Sequence, residues 1–230
     1  MTITIVPGAA EHLLTWAGLL DALEEGHRLP RAEIKDLFVY RGADTLLDRA
    51  AWIDGLGSLV KVATVVPGNA ARGKPTVNGA VNLFDDITGE LTALVDFHLV
   101  TKWKTAGDSL LSARRLARKD AKNFLLVGAG TVARSMVHAY SSLWPDARFS
   151  VWSRSRASAE AMGLPVADDL EAAVRAADVI CTATLATEPL IKRRHFDARQ
   201  RRRQTGLAWA PAPDLADDAS VGHRHLASVE

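Results

Sequence analysis

Of the 230 residues only one is cysteine. A single thiol, Cys181, excludes an internal disulfide and suits a reducing compartment. Its setting, DVICTAT, reads as a strand, so the thiol is expected to be buried and inert rather than nucleophilic. No charge sign dominates. Lys and Arg number 28 against 27 Asp and Glu, a formal net charge of +1, so bulk charge points to no particular partner. No cysteine/histidine cluster has metal-ligand spacing, and no metal is expected. No apolar run approaches the length of a membrane span. The N-terminus lacks a basic region and carries Glu11 and His12 early, unlike a signal peptide. A cytoplasmic protein is expected. The chain is 48% hydrophobic and 24% charged, enough for a real core, with room for one large domain or two small ones.

The stretch that organises the chain is Phe124–Arg134, FLLVGAGTVAR. It reads as a buried strand, a glycine turn and the start of a helix. Gly128, Gly130 and Ala133 form G-x-G-x-x-A, a form of the dinucleotide-binding fingerprint. The first glycine permits the tight turn, and the second lets the backbone approach a pyrophosphate. The alanine lets helix pack close to strand. The helix N-terminus then offers free N–H groups to the phosphates. Gly128, Ala129, Gly130, Thr131 and Val132 are therefore candidate cofactor-binding residues.

From Ala121 strands and helices alternate. Strands are expected at Phe124–Val127, Arg148–Trp152 and Asp178–Thr184. Helices are expected over Val132–Ser142, Arg156–Met162 and Asp169–Ala176, the last capped by Asp168. A short extended piece, Leu164–Val166, lies between the last two helices. This is the logic of a doubly wound parallel sheet, an α/β Rossmann-type fold. An NAD enzyme usually carries Asp or Glu at the end of the second strand. Here that position reads Trp152-Ser153-Arg154-Ser155-Arg156. With no carboxylate to repel a 2′-phosphate, and with Ser153, Arg154 and Ser155 able to bind one, NADP(H) is favoured over NAD(H). The alternative is that Arg154 and Arg156 simply open a solvated helix.

The N-terminal region reads as α+β. Residues 11–28 carry leucines and Trp16 at helical spacing. Residues 45–53 and 58–66 follow, the second a strand stopped by Pro67-Gly68. Period two places Leu59, Lys61, Ala63 and Val65 on one face. Lys61 is then either a desolvated cation useful in proton transfer or a snorkelling edge lysine. Thr76–Phe84 and Leu91–Phe97 read as the arms of a hairpin across an Asp/Gly turn, Asp85–Gly89. Residues 101–118 read as a helix whose start, TKWKTA, either forms a solvated basic cap or places Lys104 near an anion.

Lys61, the TVNGAVNLFDDITGEL hairpin, the LVTKWKTAGDSLLSARRLARKDAKNFLLVGAG run and CTATLATEPLI together resemble the ornithine cyclodeaminase/mu-crystallin family, from about Arg41 to Ile191. The resemblance implies a dimer, with a substrate and dimerisation domain over residues 1–118 and a Rossmann domain over 119–191. It implies hydride chemistry at the α-carbon of an amino or imino acid. The expected activity is reduction of a cyclic imino acid such as pyrroline-2-carboxylate. The alternatives are ornithine cyclodeamination with a bound NAD, and an inactive nucleotide binder. By motif, Lys61 matches the active-site lysine and Arg41 an upstream arginine for the substrate carboxylate. Lys104 stands where the family has arginine. Thr76 matches a cofactor-contacting threonine, and Thr182, Ala183 and Thr184 match the strand end on the nicotinamide side.

Residues 192–230 form a divergent basic tail with no clear strand. Arg193, Arg194, Arg199 and Arg201–Arg203 could make a nucleic-acid arm, although basic runs are usually solvated. APAPDLADDA echoes a family stretch and makes Asp214 a candidate. The abrupt change to Arg-rich irregular sequence is what a frameshift or truncated gene would produce, leaving the Rossmann sheet incomplete.

Overall fold

A computed structural model describes residues 2–184, 186, 188–192 and 195, together with the backbone of 207–208. The chain forms two compact units that divide after Lys104, inside a long helix rather than at its end.

The first unit opens with β1 (Thr4–Val6), a 3-10 turn over Gly8–Leu13 and α1 (Trp16–Gly26). The single helix expected over 11–28 is interrupted because Thr15 takes an extended backbone and its side chain accepts a hydrogen bond from Gly18 N at 3.1 Å, capping α1. Then come β2 (Glu33–Arg41), β3 (Asp44–Ile53), β4 (Gly57–Val65), β5 (Val77–Phe84) and β6 (Leu91–Asp96). They form a six-stranded sheet in the order β1-β6-β5-β4-β3-β2. β1 runs parallel to β6 and every other pairing is antiparallel. The β5–β6 turn is held by Asp85 Oδ1, which accepts from Ile87 N, Thr88 N and Thr88 Oγ1. These bonds to the charged form keep the Asp85 carboxyl below its usual pKa.

β2 was not legible as a strand. EIKDLFVYR lacks clean alternation because it is the sheet edge, exposed along nearly its whole length. α2 (Phe97–Leu116) begins four residues earlier than the pattern suggests. The cause is Asp96, whose Oδ1 accepts from Leu99 N at 2.7 Å at the start of the helix.

The second unit contains β7 (Asn123–Val127), α3 (Thr131–Ser141), β8 (Arg148–Trp152), α4 (Arg156–Glu160), α5 (Leu170–Ala176), β9 (Val179–Thr182) and the two-residue β10 (Leu207–Ala208). All pair in parallel, in the order β10-β9-β7-β8. This is the expected α/β Rossmann-type sheet. β7 lies inside it and is buried on both faces, which explains its unbroken apolar run from Phe124 to Val127. Phe124 packs against Tyr140, Trp144 and Phe149 with ring centroids 5.4–5.5 Å apart. The piece at Leu164–Val166 touches the sheet through a single bridge, Val151 to Val166. The tail sequence shows no clear strand pattern, but Leu207 and Ala208 pair in parallel with Cys181 and Thr182 of β9. Asp214 and the arginines at 193, 194, 199 and 201–203 lie outside the described residues.

One cap differs from expectation. Asp169, not Asp168, caps α5, its side chain accepting from Glu171 N at 2.8 Å and Ala172 N at 3.2 Å. Asp168 instead pairs with Arg156. Asp169→Ala should therefore lower the unfolding free energy by about 1 kcal/mol, the usual worth of an N-cap. Asp168→Ala, which removes only an exposed ion pair, should stay within about 0.5 kcal/mol of wild type. Urea denaturation of the two variants measures the difference.

Candidate functional site

In the first unit the candidate site is built on one face of the sheet. Cross-strand partners in an antiparallel sheet share a face. The register pairs Asp36 with Arg49, Arg49 with Lys61, and Lys61 with Val81. An acidic, a basic and another basic side chain therefore stand in one row. The N-terminal half of α2 covers the Lys61 end of this row. Gly79 permits the approach, since a Cβ there would lie 2.6 Å from the Phe97 ring. Lys61 Nζ sits 4.8 Å from the Phe97 ring centroid and donates to Thr101 Oγ1 at 3.3 Å.

Lys61 is half-buried, and its two close partners are a neutral ring and a neutral hydroxyl. Its pKa lies below the ordinary lysine value. Loss of water is the main cause, followed by the positive charges of Lys104 and Arg49. Of the two readings of Lys61, the desolvated one fits this environment. Lys104 lies one turn beyond Thr101 on the same side of α2 and is exposed. It does act on Lys61 electrostatically. The start of α2 is anchored by Glu11, whose Oε1 accepts from Lys102 and from Trp103 Nε1 at 3.0 Å. Trp103 also stacks on Trp16 at 4.1 Å.

Arg41 is not brought to Lys61. It ends β2, is 86% exposed at the side chain and pairs with Asp44 at 2.8 Å. The β2 residue level with Lys61 is Asp36, five positions away, so strand alternation puts Arg41 on the opposite face. The arginine beside Lys61 is Arg49, which the sequence reading missed. Its guanidinium is held by Asp36 through Nε to Oδ1 at 2.7 Å and Nη2 to Oδ2 at 2.6 Å. That bonding raises the Arg49 pKa further. The available signal was the turn at Asp54–Leu56. A hairpin pairing Ile53 with Gly57 also pairs Arg49 with Lys61, four residues back along each arm.

In the second unit the candidate residues gather at the carboxyl ends of the parallel strands, where ligands of such sheets bind. Gly128 has φ +112°, and a Cβ there would lie 2.1 Å from Ala183 O, so only glycine fits. Gly128 N donates to Trp152 O at 2.8 Å and Ala183 N to Val127 O at 2.8 Å. These bonds bring the fingerprint turn beside Ser153 and beside Thr182, Ala183 and Thr184. Gly130 is the N-cap of α3 and makes no side-chain cap. A Cβ at Gly130 would meet nothing within 4 Å. The space around Gly130 at the helix N-terminus is thus open, with Ala129 preceding it and Thr131 and Val132 starting the helix. A pyrophosphate fits this cradle.

At the end of β8, Arg154 and Arg156 have different roles. Arg156 pairs with Glu160 and Asp168. Arg154 is exposed and makes no hydrogen bond or ion pair among the described residues. The Ser155 hydroxyl is already engaged, accepting from Ser158 N at 3.2 Å to cap α4. Ser153 Oγ accepts from Ser155 N at 3.3 Å. Thr76 lies in the first unit immediately before β5, where its carbonyl accepts from Val66 N at 2.7 Å. Cys181 is buried, and desolvation pushes its thiol up to about 12, so it is inert as expected.

The first unit thus carries a desolvated lysine on a largely antiparallel sheet, and the second an uncapped helix N-terminus beside a glycine turn at the carboxyl end of a parallel Rossmann-type sheet. The model of the ornithine cyclodeaminase/mu-crystallin family matches residues 54–198. The chain belongs to this family. It is 46% identical over 194 residues to a Δ1-pyrroline-2-carboxylate reductase of Paracoccus denitrificans, covering 80% of this chain and 61% of that protein. It is 34% identical over 158 residues to one from Bacillus cereus, covering 64% of this chain and 49% of that protein. The chain thus spans between half and three-fifths of these relatives' length. In fold it is similar to Thermococcus litoralis Δ1-pyrroline-2-carboxylate reductase in complex with NADH and L-proline. The TM-score is 0.73 at 20% identity, over 84% of this chain and 66% of that one. It is likewise similar to an archaeal alanine dehydrogenase dimer with bound NAD. There the TM-score is 0.75 at 22% identity, over 85% and 65% of the two chains.

The depressed Lys61 pKa has a stability consequence. Its folded value lies below the unfolded one, so the protonated side chain costs stability at neutral pH. That cost fades as pH rises through the folded pKa towards the unfolded value. Lys61→Met should therefore be at least as stable as wild type at pH 7, and the difference should move in favour of wild type by pH 10. Urea titrations at the two pH values test this. A constant difference would mean that Lys61 is not desolvated.

Proposed function

We propose that the protein is an NAD(P)H-dependent reductase of a cyclic imino acid such as pyrroline-2-carboxylate. The observation that carries this reading is the setting of Lys61, a half-buried cation with neutral contacts and further positive charge from Arg49 and Lys104. Such a site attracts a small carboxylate. The 46% identity to a protein named for this reduction favours the same substrate class. A nicotinamide nucleotide held at Gly128–Val132 would supply the hydride for the imine carbon. Lys61 holds the substrate carboxylate or hands a proton to the imine nitrogen, and its lowered pKa suits proton transfer. Lys104 adds positive charge at the same face.

NADP(H) is the favoured cofactor. Arg154 is exposed and makes no hydrogen bond or ion pair among the described residues, and the residues that close β8, Ser153 to Arg156, include no carboxylate to repel a 2′-phosphate; the neighbouring Asp168 is paired with Arg156. Ser153 and Ser155 each accept a backbone N–H and keep a hydroxyl hydrogen to donate, so the phosphate contacts fall to Arg154 with these two hydroxyls. We further propose a homodimer formed through the sheet face opposite Lys61. That face exposes Ile5, Leu37, Val39, Leu46, Trp52 and Leu94, apolar side chains of the kind that mark protein interfaces. Among the described residues no helix is long and apolar enough to cross a membrane.

Nucleotide fluorescence titration followed by turnover tests the activity. NADPH should bind, be oxidised by pyrroline-2-carboxylate and yield proline. NADPH binding without turnover would select an inactive nucleotide binder, and proline formed from ornithine without net change in nucleotide would select cyclodeamination. Arg154→Ala should weaken NADPH about tenfold, the loss of one charge-assisted contact, and leave NADH unchanged. Sedimentation should give a dimer mass, shifted to monomer by Leu46→Glu. A monomeric wild type would sink the dimer.

A further inference from the structure

Arg49 is held but not used up. Asp36 takes its Nε and one hydrogen of Nη2. A guanidinium has five N–H donors in a fixed plane, so this arrangement leaves the end-on edge, Nη1 and the second Nη2 hydrogen. Arg49 makes no other hydrogen bond or ion pair among the described residues, and its side chain is 46% exposed. A bidentate carboxylate on one edge fixes the plane of the other. The free edge is therefore oriented before any ligand arrives, at low entropic cost. It belongs to the residue directly paired with Lys61 on the same sheet face.

We propose that Arg49 is a substrate-binding residue, which receives a carboxylate on its end-on edge beside Lys61 while Asp36 holds it in register. The reading rests on the proposed function for the identity of the substrate but not for the site itself. It also gives the carboxylate role that motif position suggested for Arg41 to a residue on the right face. Lysine at 49 would keep the charge and lose the fork, so it would not replace arginine.

The test uses the full chain and two carboxylates, L-proline and succinate, each titrated by calorimetry into wild type, Arg49→Lys and Arg49→Met, with NADPH affinity measured alongside. The expected result is carboxylate binding by wild type that falls at least tenfold in both variants, with NADPH affinity unchanged. Arg49→Lys retains a partner for Asp36, so it serves if Arg49→Met does not fold. Equal binding by Arg49→Lys and wild type would overturn the forked contact. Absence of carboxylate binding by wild type would overturn the site. Succinate binding that depends on Arg49, with no binding of proline, would keep Arg49 in this role and remove the cyclic imino acid from the proposed function.

Discussion

A lysine ammonium held half out of water is the constraint around which the first unit is arranged. Partial burial of a charge is costly unless partners replace the lost solvent. The partners of Lys61 are a ring face and a hydroxyl, each a weaker substitute than a carboxylate. The nearby charges that act on it are positive. A site that is short of negative charge in this way is complementary to an anion from outside the chain. The supporting elements follow from that need. Gly79 opens the space for Phe97, Asp96 starts α2 early enough to bring Phe97 and Thr101 over the sheet, and Glu11 takes up Lys102 so that the start of the helix is fixed.

The second unit solves a related problem with backbone rather than side chains. Its anion site is a turn that only glycine can make at 128, and a helix N-terminus left uncapped at Gly130. Elsewhere the chain does cap its helices, with Thr15 on α1, Ser155 on α4 and Asp169 on α5. The bare start of α3 therefore stands apart from these capped α-helices among the described residues. It is what a phosphate-binding terminus requires, since a side-chain cap would occupy the N–H groups a ligand uses.

The Rossmann strands and the fingerprint were legible because local rules determine them. A buried parallel strand is continuously apolar, and the glycine spacing has one steric meaning. The first sheet was legible only where strands are half-buried. Lys61 could be placed on a face from β4 alone, whereas β2 could not be read, because an exposed edge strand is under little selection for alternation. The choice between Asp168 and Asp169 as cap was lost to the ordinary uncertainty of a residue or two at a helix end.

The arginine beside Lys61 shows a different kind of failure. Arg41 is the arginine that motif position suggests, but proximity in a sheet depends on register and parity. Register is set by the turn, and a shift of one residue moves a side chain to the other face. The short turn at Asp54–Leu56 puts Arg49 opposite Lys61. The turn after Arg41 puts that residue opposite Asp44, on the far face. Asp36 then distinguishes the two arginines chemically. Arg41 spends its charge on a neighbour three residues away at an exposed hairpin end. Arg49 is gripped from the adjacent strand on one edge only, which leaves a rigid, oriented donor pair next to a cation that needs an anion.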